Sequence, residues 1–182
     1  IESKIYTDLN YLNPSQFVYI NNTSNIHLDI MRPDMMVSGM VSVGHNLNRQ
    51  QSNLSLFEFG KSYKKVDKGY QEDEFLTIFM TGKRNEESWL LDNKSDKTFF
   101  DIKKPILSVL NRVGISAYQI TEIEDDPRFG FGLRIHRGPM VMAELGLVYK
   151  KKSKKMGIKV PLWYGEISFN TFSILSASAS YG

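Results

Sequence analysis

Residues whose type and spacing could do chemistry lie in three stretches of the sequence and among its scattered histidines. "GFGLRIHRG" (residues 130–138) has the glycine content of a phosphate-binding turn. Such a turn needs its glycines ahead of a helix, so that backbone N–H groups and the helix dipole meet the phosphate. Here they alternate within a strand pattern that runs on into another strand, which reads as close strand packing or a bulge. The three histidines, His27, His45 and His136, stand far apart, and no pair has the spacing of a helical metal site. Each reads as a surface or capping residue, because a catalytic triad needs convergence in space and no local signature supports one. "EIEDDP" (residues 122–127) clusters carboxylates, yet a magnesium site also needs a phosphate or a second carboxylate element, so this reads as a solvated turn. "KKKSKK" (Lys150–Lys155) sets five cations in six positions, either as a solvated helix face or as one that touches phosphate.

These residues must be positioned by elements that the hydrophobic pattern locates. In "MRPDMMVSGMVSVGHNLNRQ", Met36, Met40, Val43 and Leu47 fall on one helical face, with Pro33 suited to the first turn. Ser38, Ser42, His45 and Arg49 share that spacing about 200° away, at 100° per residue. The pattern predicts an amphipathic helix over residues 33–49 with a small-residue polar face. A short strand is expected at residues 17–20, another in "LSLFEFG", and a polar hairpin-like connection in "SYKKVDKGYQEDE". "FLTIFMTG" reads as a strand buried on both faces, and Trp89 as the anchor of an exposed excursion after it. A second helix carries Ile106, Val109, Leu110 and Val113 as its stripe, Pro105 in its first turn or at a kink, and Gly114 as its left-handed stop. "AYQITE", "FGLRIH", "MVMAELGLVY" and "PLWYGEISFN" read as strands, the last closing the sheet. Helices and strands do not alternate as in a doubly wound fold, so the expected class is α+β, a mostly antiparallel sheet flanked by helices.

Composition narrows the chemistry further. The chain has no cysteine, which excludes disulfides, zinc ribbons, iron–sulfur clusters and thiol catalysis. A net charge of +3 is too mild to argue for nucleic acid by itself. No apolar run approaches the roughly 20 residues of a membrane helix. The opening "IESKIY" lacks the apolar core of a signal peptide, and "SASASYG" is linker-like, so the expectation is a fragment of a cytoplasmic protein.

Several segments together resemble one family, in order and over nearly the whole chain. "NTSNIHLDIMRPDMMVSGM", "HNLNRQQSNLSLFEFGKSY", "LTIFMTGKRNEESW", "FFDIKKPILSVLNRVGI" and "AELGLVYKKKSKKMGIK" are similar to the β subunit of bacterial phenylalanyl-tRNA synthetase, in the region that resembles a class II aminoacyl-tRNA synthetase catalytic core. The sequence departs from the family pattern at Thr23, Pro33 and Pro105. The resemblance implies a catalytic-core-like domain over residues 1–175 and a linker, residues 176–182, towards a C-terminal anticodon-binding domain. It implies an (αβ)2 tetramer that charges tRNA(Phe) with phenylalanine using ATP and Mg2+, with catalysis in the α subunit and none in this region.

The residues agree with that implication. No expected strand carries the Arg–x–Glu signature that holds the ATP α-phosphate in class II enzymes, and no Gly-rich strand leads into a helix that carries a second arginine. Arg134 comes nearest, in a strand–turn–strand context. On this reading "GHNLNRQQSNLSLFEFG" is the relic of a synthetase dimer motif. Ser38, Ser42, His45 and Arg49 are the candidates for subunit contact, and Lys151, Lys152, Lys154 and Lys155 those for tRNA contact. A free-standing adenylate-forming ligase of the same fold and a tRNA-binding module are the alternatives.

Overall fold

A computed structural model of the chain describes residues 1–10, 12–21, 27–84 and 95–171. Trp89 and residues 176–182 lie outside them. Three helical elements come first: α1 (Ser3–Leu9), a 3-10 turn (Pro14–Gln16) and α2 (Met36–Asn48). The expected helix over residues 33–49 starts later, because Asp34 turns its carboxylate back onto the chain. Its Oδ1 accepts from the Val37 backbone N–H at 3.1 Å, which satisfies one of the donors left unpaired at a helix start. Met36, Met40 and Val43 are buried as the periodicity requires, while Leu47 is only partly covered. Residues 17–20 form no strand of their own; a single bridge pairs Tyr19 with Ile30.

Strands β1 (Leu54–Val66) and β2 (Gly69–Thr81) pair in antiparallel register along their full length, from Leu54 opposite Thr81 to Val66 opposite Gly69. Both strands therefore run through what the sequence offers as a connection. The tip of this hairpin is exposed on both faces, so burial cannot register it, and main-chain pairing, with Lys61 bridging Glu72 and Glu74, carries the strands on. Gly69, at φ +95°, supplies the left-handed residue just after the turn. The segment "LTIFMT" is buried as expected at Leu76, Thr77, Ile78, Phe79 and Thr81.

Helix α3 (Phe99–Arg112) opens with a reciprocal cap between Thr98 and Asp101, so it begins earlier than its apolar run suggests. Pro105 therefore sits inside the helix rather than in its first turn. The buried stripe is Ile102, Ile106 and Leu110, and Val113 is 49% exposed. Gly114 takes the left-handed stop at φ +80°.

Strands β3 (Gln119–Glu122), β4 (Phe129–Arg137), β5 (Met140–Val148) and β6 (Trp163–Ser168) complete the sheet, with α4 (Lys150–Lys155) between the last two. The order is β1-β2-β6-β5-β4-β3, with every neighbouring pair antiparallel. The final strand thus enters the middle of the sheet instead of closing its edge. A central strand must be covered on both faces, and Tyr164, Gly165 and Ile167 are all buried. The register between β4 and β5 slips at residues 129–131, so Gly130 marks a bulge in a strand, not a phosphate loop.

The sheet separates two cores. On one face α1 and α2 pack Tyr6, Leu9, Met36, Val37, Met40 and Val43 against Phe79 and Tyr164. α2 comes so close that a Cβ on Gly39 would lie 1.9 Å from the Phe79 ring. On the other face α3 covers Leu76, Ile78, Ile135, Leu145 and Ile167. There Gly165 leaves room for Ile106, whose Cδ1 would be 2.4 Å from an added Cβ.

Candidate functional site

Below α1 and α2, on the same face of the sheet, lies a cavity of about 510 Å3. Its floor is Ser62 and Lys64 from β1, Asp73 and Phe75 from β2, Met142 and Glu144 from β5, and Glu166 and Ser168 from β6. Strand pairing sets Glu144 directly opposite Glu166. Two like charges in that relation repel each other, so the arrangement requires a cation between them.

Arg128 supplies it. Its Nη1 donates to Glu166 Oε1 at 2.6 Å, its Nη2 to Asp126 Oδ2 at 2.8 Å and also to Glu144 Oε2, and its Nε to both Asp126 oxygens at 3.1 Å. The guanidinium also stacks over Phe129, 5.0 Å from the ring centre. Burial alone would ease the proton off Arg128, but the charges of Glu166 and Glu144 and the bond to Asp126 win, and its pKa is raised. Asp126 moves the other way: burial opposes ionisation, and the bonds from Arg128 outweigh it to lower its pKa. Arg134, opposite Glu144 in the register, donates its Nε to Glu144 Oε1 at 2.7 Å. The Tyr164 hydroxyl donates to Glu166 Oε2 at 2.5 Å, and burial together with that carboxylate pushes the phenol well up.

Asp126 belongs to the "EIEDDP" stretch, so that acidic run is not simply a solvated turn. It is one wall of the cage, while Glu122, Glu124 and Asp125 remain in solvent. Arg128, Glu144, Glu166 and Asp34 were not singled out by sequence pattern. The available signal was a lone carboxylate inside each of two apolar runs, "MVMAELGLVY" and "PLWYGEISFN", since a carboxylate buried in a sheet calls for a cation elsewhere in the chain.

This donor set does not fit a nucleoside triphosphate. A phosphate group needs guanidinium, ammonium or backbone N–H donors left available to it. All three nitrogens of Arg128 already donate to carboxylates, which leaves Lys64, among the described residues, as the one basic side chain of the lining not committed to a carboxylate, against five acidic residues (Asp34, Asp73, Asp126, Glu144, Glu166). Arg134 is likewise committed to Glu144.

The structure does not gather the remaining candidates into this cavity. Ser42, His45 and Arg49 are exposed on α2, side by side on its outer face. Ser38 is half-buried and engaged: its Oγ accepts from Arg32 Nη1 at 3.2 Å and donates to the Met35 carbonyl at 3.1 Å. Arg32 in turn ties α2 to β1 through Glu58 Oε1 at 2.6 Å and the Lys61 carbonyl at 3.2 Å. Within α4, Lys151 and Lys154 are exposed, but Lys152 is only 8% accessible. Its Nζ donates to the Leu9 carbonyl at 2.8 Å, and Lys155 Nζ donates to the Asp8 carbonyl at 2.5 Å. These are the last carbonyls of α1, so two lysines of the basic run cap a helix end, Lys152 from a buried position and Lys155 from an exposed one. Burial lowers the pKa of Lys152. His27 lies beside Glu2 at 3.3 Å, and His136 beside the Gly138 carbonyl at 3.0 Å.

The architecture is that of a class II aminoacyl-tRNA synthetase core. Two solved structures of pyrrolysyl-tRNA synthetase from Desulfitobacterium hafniense superpose over 98% of the chain, with TM-scores of 0.71 and 0.69 at 16% and 15% identity, and the chain spans 61% and 60% of theirs. Within that class, residues 2–169 match the phenylalanyl tRNA synthetase beta chain CLM domain, and the chain belongs to this family. It is similar to the phenylalanine–tRNA ligase beta subunits of Bacteroides thetaiotaomicron (27% identical over 97% of the chain) and Porphyromonas gingivalis (28% over 90%). It spans only 23% and 21% of the length of those two relatives.

Proposed function

We propose that this chain is a non-catalytic structural and assembly domain of phenylalanine–tRNA ligase. On this reading, ATP- and Mg2+-dependent charging of tRNA with phenylalanine is carried out by an α subunit to which the domain docks in an (αβ)2 tetramer in the cytoplasm. The observation that carries the reading is the caged Arg128. At the sheet face, the group best suited to hold a phosphate is spent on Asp126, Glu144 and Glu166.

Two surfaces support docking. One is the outer face of α2 with Ser42, His45 and Arg49, where small side chains admit a neighbouring helix and the charges sit at a rim. The other is the aromatic pair on edge strand β1, Phe57 at 71% and Phe59 at 64% exposure, an apolar patch of the kind a subunit covers. ATP–pyrophosphate exchange with phenylalanine tests the silence directly. The isolated chain is expected to show none, and robust exchange from a clean preparation refutes the reading.

A secondary role in tRNA contact is favoured by residues 149–160, which hold six lysines and no acidic residue. Of the candidate lysines, the exposed Lys151 and Lys154 support this reading best, since Lys152 and Lys155 bond the end of α1.

A further inference from the structure

We propose that the sheet-face cavity binds a small organic cation, a primary amine carried on an apolar body. Its volume of about 510 Å3 falls within the range of small-molecule sites. The inference rests on reading this cavity as closed to nucleotide, and it asks what the same chemistry admits.

Three observations carry it. The first is the acid surplus, five carboxylates against Lys64 and Arg128. The second is unused acceptor capacity. An ionised carboxylate offers about four lone-pair sites. Glu166 receives one bond on each oxygen, from Arg128 and Tyr164, while the oxygens of Glu144 are served by Arg134 and Arg128. Asp73 likewise accepts from Asn170 on Oδ1 and from Gln71 on Oδ2. An ammonium, with three donors and no acceptor, matches what is left. The third is Asp34 on the cavity wall. Its Oδ1 accepts from Tyr6 and Val37, while its Oδ2 is buried without a partner among the described residues. Such an oxygen lacks the hydrogen bond that its charge calls for, and a cation in the cavity offsets that charge. Leu12, Phe75, Val141 and Met142 form the apolar part of the lining, enough to cover a ring or a short alkyl body.

The test compares three probes of one shape: benzylamine, benzyl alcohol and benzoate, titrated into the chain with methyl and amide NMR signals as the readout. Benzylamine is expected to saturate at millimolar concentration or below, to shift Val141 and Met142, and to bind at least ten-fold tighter than the alcohol. Benzoate should not bind. Lys64→Gln removes a competing cation without breaking a partnered group and should tighten benzylamine several-fold, whereas Asp73→Asn should weaken it by a similar factor. The proposal is overturned if benzylamine does not saturate, if the alcohol matches it, or if neither variant moves its affinity. Mg·ATP is titrated in parallel. Saturable ATP binding would refute the closed-to-nucleotide reading itself, a separate outcome from failure of the amine alone.

Discussion

Asp34 answers to two demands at once. Its Oδ1 serves the start of α2 through Val37 and takes the Tyr6 hydroxyl at 3.0 Å, while burial penalises its charge. Burial pushes the carboxyl up to about 6 from an ordinary 3.8; the bonds from Val37 and Tyr6 pull it down, Glu166 pushes it up and Arg128 pulls it down. Tyr6 and Tyr164, which face it, both have raised pKa values with burial as the main cause. Between roughly pH 4 and pH 6 the folded state then holds more protons at this residue than the unfolded chain does. The contribution of Asp34 to stability is therefore most favourable below the unfolded value and falls as pH rises through the folded one. Asp34→Asn removes this slope. Relative to wild type, the variant should gain on the order of 3 kcal/mol between about pH 4 and pH 7, at about 1.4 kcal/mol per pKa unit. Denaturant melts of both proteins across that range check it, and parallel pH profiles would show that Asp34 ionises normally.

Among the elements, α2 is the one whose orientation matters for assembly. Met40 is fully buried against the sheet, and Ser42 lies on the opposite, exposed side. Met40→Asp places an unpaired carboxylate in the core and should cost at least about 3 kcal/mol, seen as loss of the cooperative thermal transition. Ser42→Trp should melt like wild type yet co-purify poorly with the α subunit, because the indole fills space a partner helix needs. A tolerated Met40→Asp beside an unfolding Ser42→Trp would mean that α2 faces the other way. This helix was legible in the sequence because its burial follows one 3.6-residue period, and Gly114 was legible because a single residue type suits its backbone. The hairpin tip was not, since its pairing leaves no hydrophobic trace. Nor was the Arg128 cage, whose members are spread from Asp126 to Glu166 and are joined by strand register and the turn before β4.

At the scale of the whole molecule, charge is distributed so that part of the basic run is structural. Lys151→Ser with Lys154→Ser should leave the melting temperature unchanged while reducing the salt dependence of tRNA binding by the assembled enzyme, since each phosphate left without its lysine keeps roughly one counterion that binding would otherwise release. Lys152→Ser, by contrast, uncovers the Leu9 carbonyl and should lower the melting temperature, with tRNA affinity altered only through folding. An unchanged salt slope in the double variant would make the exposed lysines a solvated surface only. The central place of β6 also governs how the chain reaches this state. The last-synthesised of the six strands, Trp163–Ser168, is the one that joins the β1–β2 hairpin to the β3–β4–β5 meander. Until it emerges from the ribosome, those two pieces share no hydrogen-bonded edge, and α3 has only part of the surface it covers. Cooperative folding of the sheet must therefore wait for residues 163–168. A nascent chain stopped before them carries two further open sheet edges, β2 and β5, besides those of the finished sheet, the condition that recruits chaperones and invites aggregation.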